Sequence, residues 1–125
     1  MEIYGEDWAA SYGRRADAAM PGREGLYRLC CASLLGLPPG ARILVVGCGT
    51  GDDLLPLAKA LPSASFVGLE PADAMRRHCT ELVAREGLEA RVALRAEALE
   101  EHRPDAPYHA ATAIRPIEPS KAWRE

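Results

Sequence analysis

Four consecutive apolar residues, Ile43-Leu44-Val45-Val46, run without a break into Gly47-Cys48-Gly49-Thr50-Gly51. A short, continuously apolar run rich in branched side chains is the pattern of a central parallel strand, because both of its faces must be covered. Glycine at every second position after it lets the backbone turn sharply and come close to whatever lies beyond the strand end. Residues 43–51 therefore demand a buried sheet with an open carboxyl end.

The flanking segments fit such a sheet. Residues 52–61 read as a helix, with Leu54, Leu55, Leu57, Ala58 and Leu61 apolar and Asp52 and Asp53 at its positive end. Pro56 requires that helix to begin close to Asp52, since proline lacks the N–H that interior turns use. Pro62-Ser63 breaks it, and Ser65-Phe66-Val67-Gly68-Leu69 gives a second strand ending at Glu70-Pro71. Met75, Cys79, Leu82 and Val83 share a face of the next helix, with Asp73 expected as its cap and Gly87 as its left-handed terminator. Residues 91–95 read as a third strand and 108–114 as a weaker fourth. Upstream, Leu26, Leu29, Cys30, Leu34 and Leu37 recur at helical spacing, and Met20-Pro21-Gly22 ends any helix begun around Trp8. The alternation implies an α/β chain: a Rossmann-like parallel sheet with flanking helices and right-handed crossovers. The expected division is a lead-in at 1–22, one domain at 23–114 and an irregular tail at 115–125.

A length of 125 residues suits one hydrophobic core. With a formal net charge of −3 and no isolated basic block, strong general affinity for nucleic acid is disfavoured. Cys30, Cys31, Cys48 and Cys79 show no metal-binding spacing and read as reduced, buried thiols, and no metal site is expected. No run reaches the length of a membrane span, and the first ten residues are too polar for a signal peptide. A cytoplasmic protein is the expectation.

In parallel α/β sheets ligands bind outside the carboxyl ends of the strands, where strand order reverses. The glycine loop 47–51 converges there with Glu70, which stands 19 positions after Gly51 and could accept hydrogen bonds from both hydroxyls of a ribose. A dinucleotide loop would carry its third glycine one position later, where Asp52 stands; Asp52 and Asp53 would repel a pyrophosphate and suit a positively charged ligand without phosphate.

ILVVGCGTGDDLLPLA resembles the first motif of class I S-adenosylmethionine-dependent methyltransferases, FVGLEPADAM resembles their acidic-ended second motif, and RVALRAEAL is similar to their third-strand motif. The resemblance spans roughly residues 20–114. It implies S-adenosylmethionine as cofactor, methyl transfer to an acceptor, and a set of donor contacts: Gly47, Cys48, Gly49, Thr50 and Gly51 around the methionine portion, Glu70 on the ribose, Pro71 and Met75 beside the adenine, and Glu97 with Ala98 at the adenine amino group. Ala96 stands where the family commonly has glycine. Tyr12, Met20-Pro21-Gly22 and Tyr27 also resemble a branch that includes enzymes modifying the wobble uridine of tRNA; the acceptor is not identified by the sequence, with a small molecule and tRNA both open.

Tyr12 either closes over the donor or packs. Tyr108 and His109 are read as a loop-to-strand junction, His78 and His102 as surface residues, and Trp8 and Trp123 as packing residues. No general base is assigned, and none is required, because in-line positioning of the acceptor can supply most of the catalysis. Family members continue past strand four. This sequence ends soon after it, so a donor-binding half of about four strands, weak or absent turnover, and self-association through an open sheet edge are expected. The alternatives are a module that holds the donor without transfer and a nicotinamide-dependent oxidoreductase.

Overall fold

The computed structural model describes residues 5–19 and 21–114. Trp123 and the tail at 115–125 lie outside them. α1 (Glu6–Ala19) and α2 (Arg23–Leu34) precede β1 (Arg42–Val46). Then follow α3 (Leu54–Ala60), β2 (Ser65–Leu69), α4 (Asp73–Arg85), β3 (Val92–Arg95), a short 3-10 helix (Leu99–Glu101) and β4 (Ala110–Thr112).

The strands form one parallel sheet in the order β3-β2-β1-β4. β1 is thus interior, as its unbroken apolar run requires, and strand order reverses between β1 and β4. Side chains alternate across a strand, and here the two faces differ. Ile43, Val45 and Phe66 face a core shared with Cys30, Cys31 and Leu34 of α2, Leu54, Leu57 and Ala58 of α3, and Cys79 and Val83 of α4. Burying side chains such as Phe66, Ile43, Leu54 and Leu57 contributes roughly 1.5–3 kcal/mol each. On the other face Leu44, Val67 and Leu69 pack with Val46 and Tyr108. The helices α2, α3 and α4 therefore cover one face. On the second face, the aromatic ring packed against the sheet comes from the segment leading into β4.

Several local expectations are adjusted. α3 begins at Leu54, not Asp52, and Pro56 falls in its first turn, where no N–H is required. Its carboxyl end is satisfied from a distance: Arg91 donates to the carbonyls of Ala58, Leu61 and Ala64 at 3.0–3.1 Å. Asp73 is the first helical residue of α4 and pairs with Arg76, while Ala72 occupies the cap position. Gly87 has φ +68° and ends α4 as expected; its N–H reaches Ala84 O and that of Leu88 reaches Val83 O. α2 turns Cys30, Cys31 and Leu34 inward, but leaves Leu26 and Leu29 exposed, because it has only one layer beneath it. The fourth strand is shorter than 108–114, since residues 108 and 109 stand before the ladder.

Candidate functional site

Register decides which residues meet at the carboxyl edge. Val46 pairs with Leu69, and Leu69 with Arg95, so the next residues of the three strands, Gly47, Glu70 and Ala96, emerge side by side. Gly47, Gly49 and Gly51 have φ of +65°, +57° and +96°, the left-handed region that L side chains rarely adopt. Their demands differ. A Cβ on Gly49 would stand at ordinary contact distance, 3.5 Å from Met75 Cε and 4.0 Å from Tyr12 Cε1, whereas one on Gly51 would collide with Leu82 Cδ2 at 2.7 Å. Gly51 lets the loop pack on α4, and Gly49 is itself buried beneath Met75 and Tyr12.

Glu70 ties the two βα junctions together. Gly49 N–H donates to its Oε1 and Ala72 N–H to its Oε2, both at 3.0 Å. The carboxylate is therefore held at the switch point by two backbone donors.

Val46, Gly47, Leu69, Pro71, Glu97, Ala98, Leu99 and Glu100 line a cleft of about 120 Å³ at the carboxyl edge of the sheet; Glu70 is outside this lining, between Leu69 and Pro71 in sequence. A more open groove of about 630 Å³ lies between α2 and α3, bordered by Tyr27, Cys31, Leu35, Pro56 and Lys59. It is larger, but it lies away from the strand ends and from the Glu70 carboxylate, so the smaller cleft is the candidate site.

The structure thus brings together Gly47, Pro71, Glu97 and Ala98 around the cleft, while Gly49 and Gly51 on the loop after β1 and Glu70 after β2 stand outside its lining. Met75 is buried against Gly49 and packs with Ala9, Ala74 and Tyr12, on the loop side and not in the cleft. The Cys48 side chain points into the core, where its sulfur would lie 2.9 Å from a Cβ on Gly68; only its backbone belongs to the loop. Contact with Cys79 and burial push its thiol well above the usual range. Thr50 is half-buried at the loop tip. All four cysteines are free thiols.

The lead-in lies across the loop. Tyr12 reaches Gly49, and burial pushes its hydroxyl well above the usual tyrosine range. Trp8 packs in the same cluster, as expected. His78 and Arg77 of α4 pair with Glu6 of α1 at 2.7 Å, so His78 clips the lead-in and stands outside the cleft. Arg23 fastens the other end: it bonds Asp17 at 2.8 Å, Asp52 at 3.1 Å and Gly13 O at 3.4 Å. Burial opposes its charge, but Asp17 and Asp52 outweigh it and hold the guanidinium above its usual range.

This changes the electrostatics expected of Asp52 and Asp53. Asp52 is paired with Arg23, and Asp53 is buried with its Oδ2 lacking a hydrogen-bond partner among the described residues. Burial pushes the Asp53 carboxyl up to about 7. The loop presents less negative charge than its sequence suggests, and Glu70 is its best-placed carboxylate.

His102 is a second correction. Its side chain is 8% exposed, not on the surface, because Nδ1 lies 2.7 Å from Glu97 Oε1 and Nε2 lies 2.9 Å from Tyr108 Oη. Nothing in local spacing signals this pairing. Tyr108 and His109 form a loop-to-strand junction at the end of the sheet opposite the cleft; Arg42 N–H donates to His109 Nδ1 at 3.0 Å. Among the described residues no cluster of side chains could hold a metal ion, and no helix is long and apolar enough to cross a membrane.

Comparison with known proteins gives the family. A model described as a methyltransferase domain matches residues 43–123. No curated protein matches the sequence. Among solved structures, YjhP of E. coli aligns with TM-score 0.69 and 19% identity over 91% of this chain and 44% of its own. A S-adenosylmethionine-dependent methyltransferase from Thiobacillus denitrificans, in complex with S-adenosylhomocysteine, aligns with TM-score 0.69 and 18% identity over the same shares, 91% and 44%. The cyclase SpnF aligns with TM-score 0.62 and 27% identity over 70% of this chain and 32% of its own. The chain thus spans less than half the length of each of these structures. The family match over more than half of the sequence, on a sheet of this order with its glycine loop at the switch point, means that the chain belongs to the class I S-adenosylmethionine-dependent methyltransferase family.

Proposed function

We propose that the chain binds S-adenosylmethionine as the donor-binding half of a methyltransferase, with residues 23–114 as the binding domain and 1–22 as a lead-in laid across it. The observation that carries this reading is the Glu70 carboxylate, held between Gly49 N–H and Ala72 N–H at the switch point. The residues present fit the donor. The Glu70 carboxylate, already fixed by two backbone N–H groups, accepts from the ribose hydroxyls. Glu97 accepts from the adenine amino group, with Pro71 and Ala98 bordering the ring. The backbone of residues 47–51, Cys48 and Thr50 included, follows the methionine portion. Met75 supports Gly49, and Tyr12 excludes water above it.

When bound, the donor supplies a methyl group on positively charged sulfur. This chain's part is to fix that group in line with an acceptor, and the acceptor we favour is a small molecule, given a net charge of −3. The free cysteines suit a reducing cytoplasm. Equilibrium binding of S-adenosylhomocysteine against NADH tests the reading: preference for the former is expected, and preference for NADH overturns it.

The alternative reading is a module that binds the donor without transferring its methyl group. A radiolabelled-methyl assay on small-molecule and tRNA acceptors separates the two: turnover supports methyl transfer, and donor binding without turnover supports the alternative.

A further inference from the structure

We propose that His102 is a positioning residue for purine recognition: with Tyr108 it holds the Glu97 carboxylate in the orientation that reads the amino group of adenine. The inference rests on the donor-binding reading above and adds a specificity determinant to it. Glu97 lines the cleft, and its Oε1 is held from behind the lining by His102, whose Nδ1 lies 2.7 Å away. An ionised carboxylate only accepts, so Nδ1 must carry a proton and donate. In the neutral ring Nε2 is then an acceptor, and the Tyr108 hydroxyl, 2.9 Å away, donates to it. Each member thus sets the proton position of the next.

The string is braced at its far end. The Arg42 guanidinium lies 4.6 Å from the Tyr108 ring centroid and is itself held by Asp105 and by the carbonyl of Ala106, both at 2.7 Å. Tyr108 also packs on Leu44, Val67 and Leu69. From the start of β1 to the end of β3, the string crosses the second face of the sheet and ends at the cleft. Glu97 follows β3 on a segment where Glu101 Oε1 accepts Ala98 N–H at 3.3 Å, and the imidazole is the group that restrains the Glu97 carboxylate itself. One Glu97 oxygen is occupied by His102, and the other is left for a ligand donor. A carboxylate fixed in this way attracts the N–H of a 6-amino purine and repels the oxygen of a 6-oxo purine.

The test compares two ligands, S-adenosylhomocysteine and its 6-oxo analogue, in which hypoxanthine replaces adenine. The wild-type chain is expected to prefer the adenine compound at least about tenfold, the usual scale for one charged hydrogen bond. His102→Ala should reduce that ratio about fivefold or more, chiefly by weakening the adenine compound. His102→Asn, whose amide can replace the Nδ1 donor, should restore part of it, and Tyr108→Phe should fall between. Thermal melts on all variants monitor folding, and the Asn and Phe variants carry the test if the Ala variant fails to fold. An unchanged ratio, or an equal loss for both ligands, overturns the inference and leaves the donor reading standing. Failure of the wild-type chain to bind either ligand removes both.

Discussion

Gly49 N–H donates to Glu70 Oε1 at 3.0 Å, joining the loop after β1 to the residue after β2 across 21 positions of sequence. The same carboxylate accepts Ala72 N–H, so a residue proposed to hold the ribose also shapes the loop that holds the rest of the donor.

Glu70→Ala is therefore expected to weaken S-adenosylhomocysteine binding by at least about 1.5 kcal/mol, or more than about tenfold, from lost charged hydrogen bonds and a loosened loop. Calorimetric titration checks it, and an affinity equal to wild type would take Glu70 out of the site.

Gly49 and Gly51 should separate binding from folding. Gly49→Val places a branched side chain at φ +57° beside Met75 and Tyr12, and should abolish binding with a modest loss of stability. Gly51→Val collides with Leu82 and Cys79 and should unfold the domain more readily. Circular dichroism melts beside ligand titrations distinguish the two; retained binding by the Gly49 variant would mean a loop that only turns the chain.

Asp53 should make stability fall as pH rises. Burial, with Asp52 and Glu70 nearby, pushes its folded-state carboxyl up to about 7, while the unfolded group titrates near about 4. Between those values the folded chain binds more protons. The contribution is complete below about pH 4 and is lost as pH rises through about 7. Asp53→Asn should flatten that dependence. Urea midpoints for both chains at mildly acidic and mildly alkaline pH provide the comparison, and equal slopes would refute it.

Arg23→Ala should cost about 2 kcal/mol of stability, because it leaves Asp52 unpaired and frees the lead-in from the glycine loop. Faster hydrogen exchange across α1, with β1 unaffected, is the expected signature. Protection of α1 at wild-type levels would mean that the Glu6 contacts to Arg77 and His78 hold the lead-in alone.

Much of this was legible before any coordinates. The strand at 43–46, the positive-φ glycines after it, Glu70 at the end of β2 and the Gly87 terminator each follow from residues a few positions apart, and strand periodicity and turn chemistry are local. Parallel order followed as well, since helices between strands permit little else. Only the tertiary structure decided which polar groups found partners. The Arg23–Asp52 pair spans 29 positions, and Gly68 is small because Cys48 and Leu94 crowd the space a Cβ would fill. His102 is buried between Glu97 and Tyr108, and Asp53 is buried at the cap position of α3. Whether a charge is solvated, paired or neutralised depends on neighbours brought together by the whole fold, and no spacing along the chain records that.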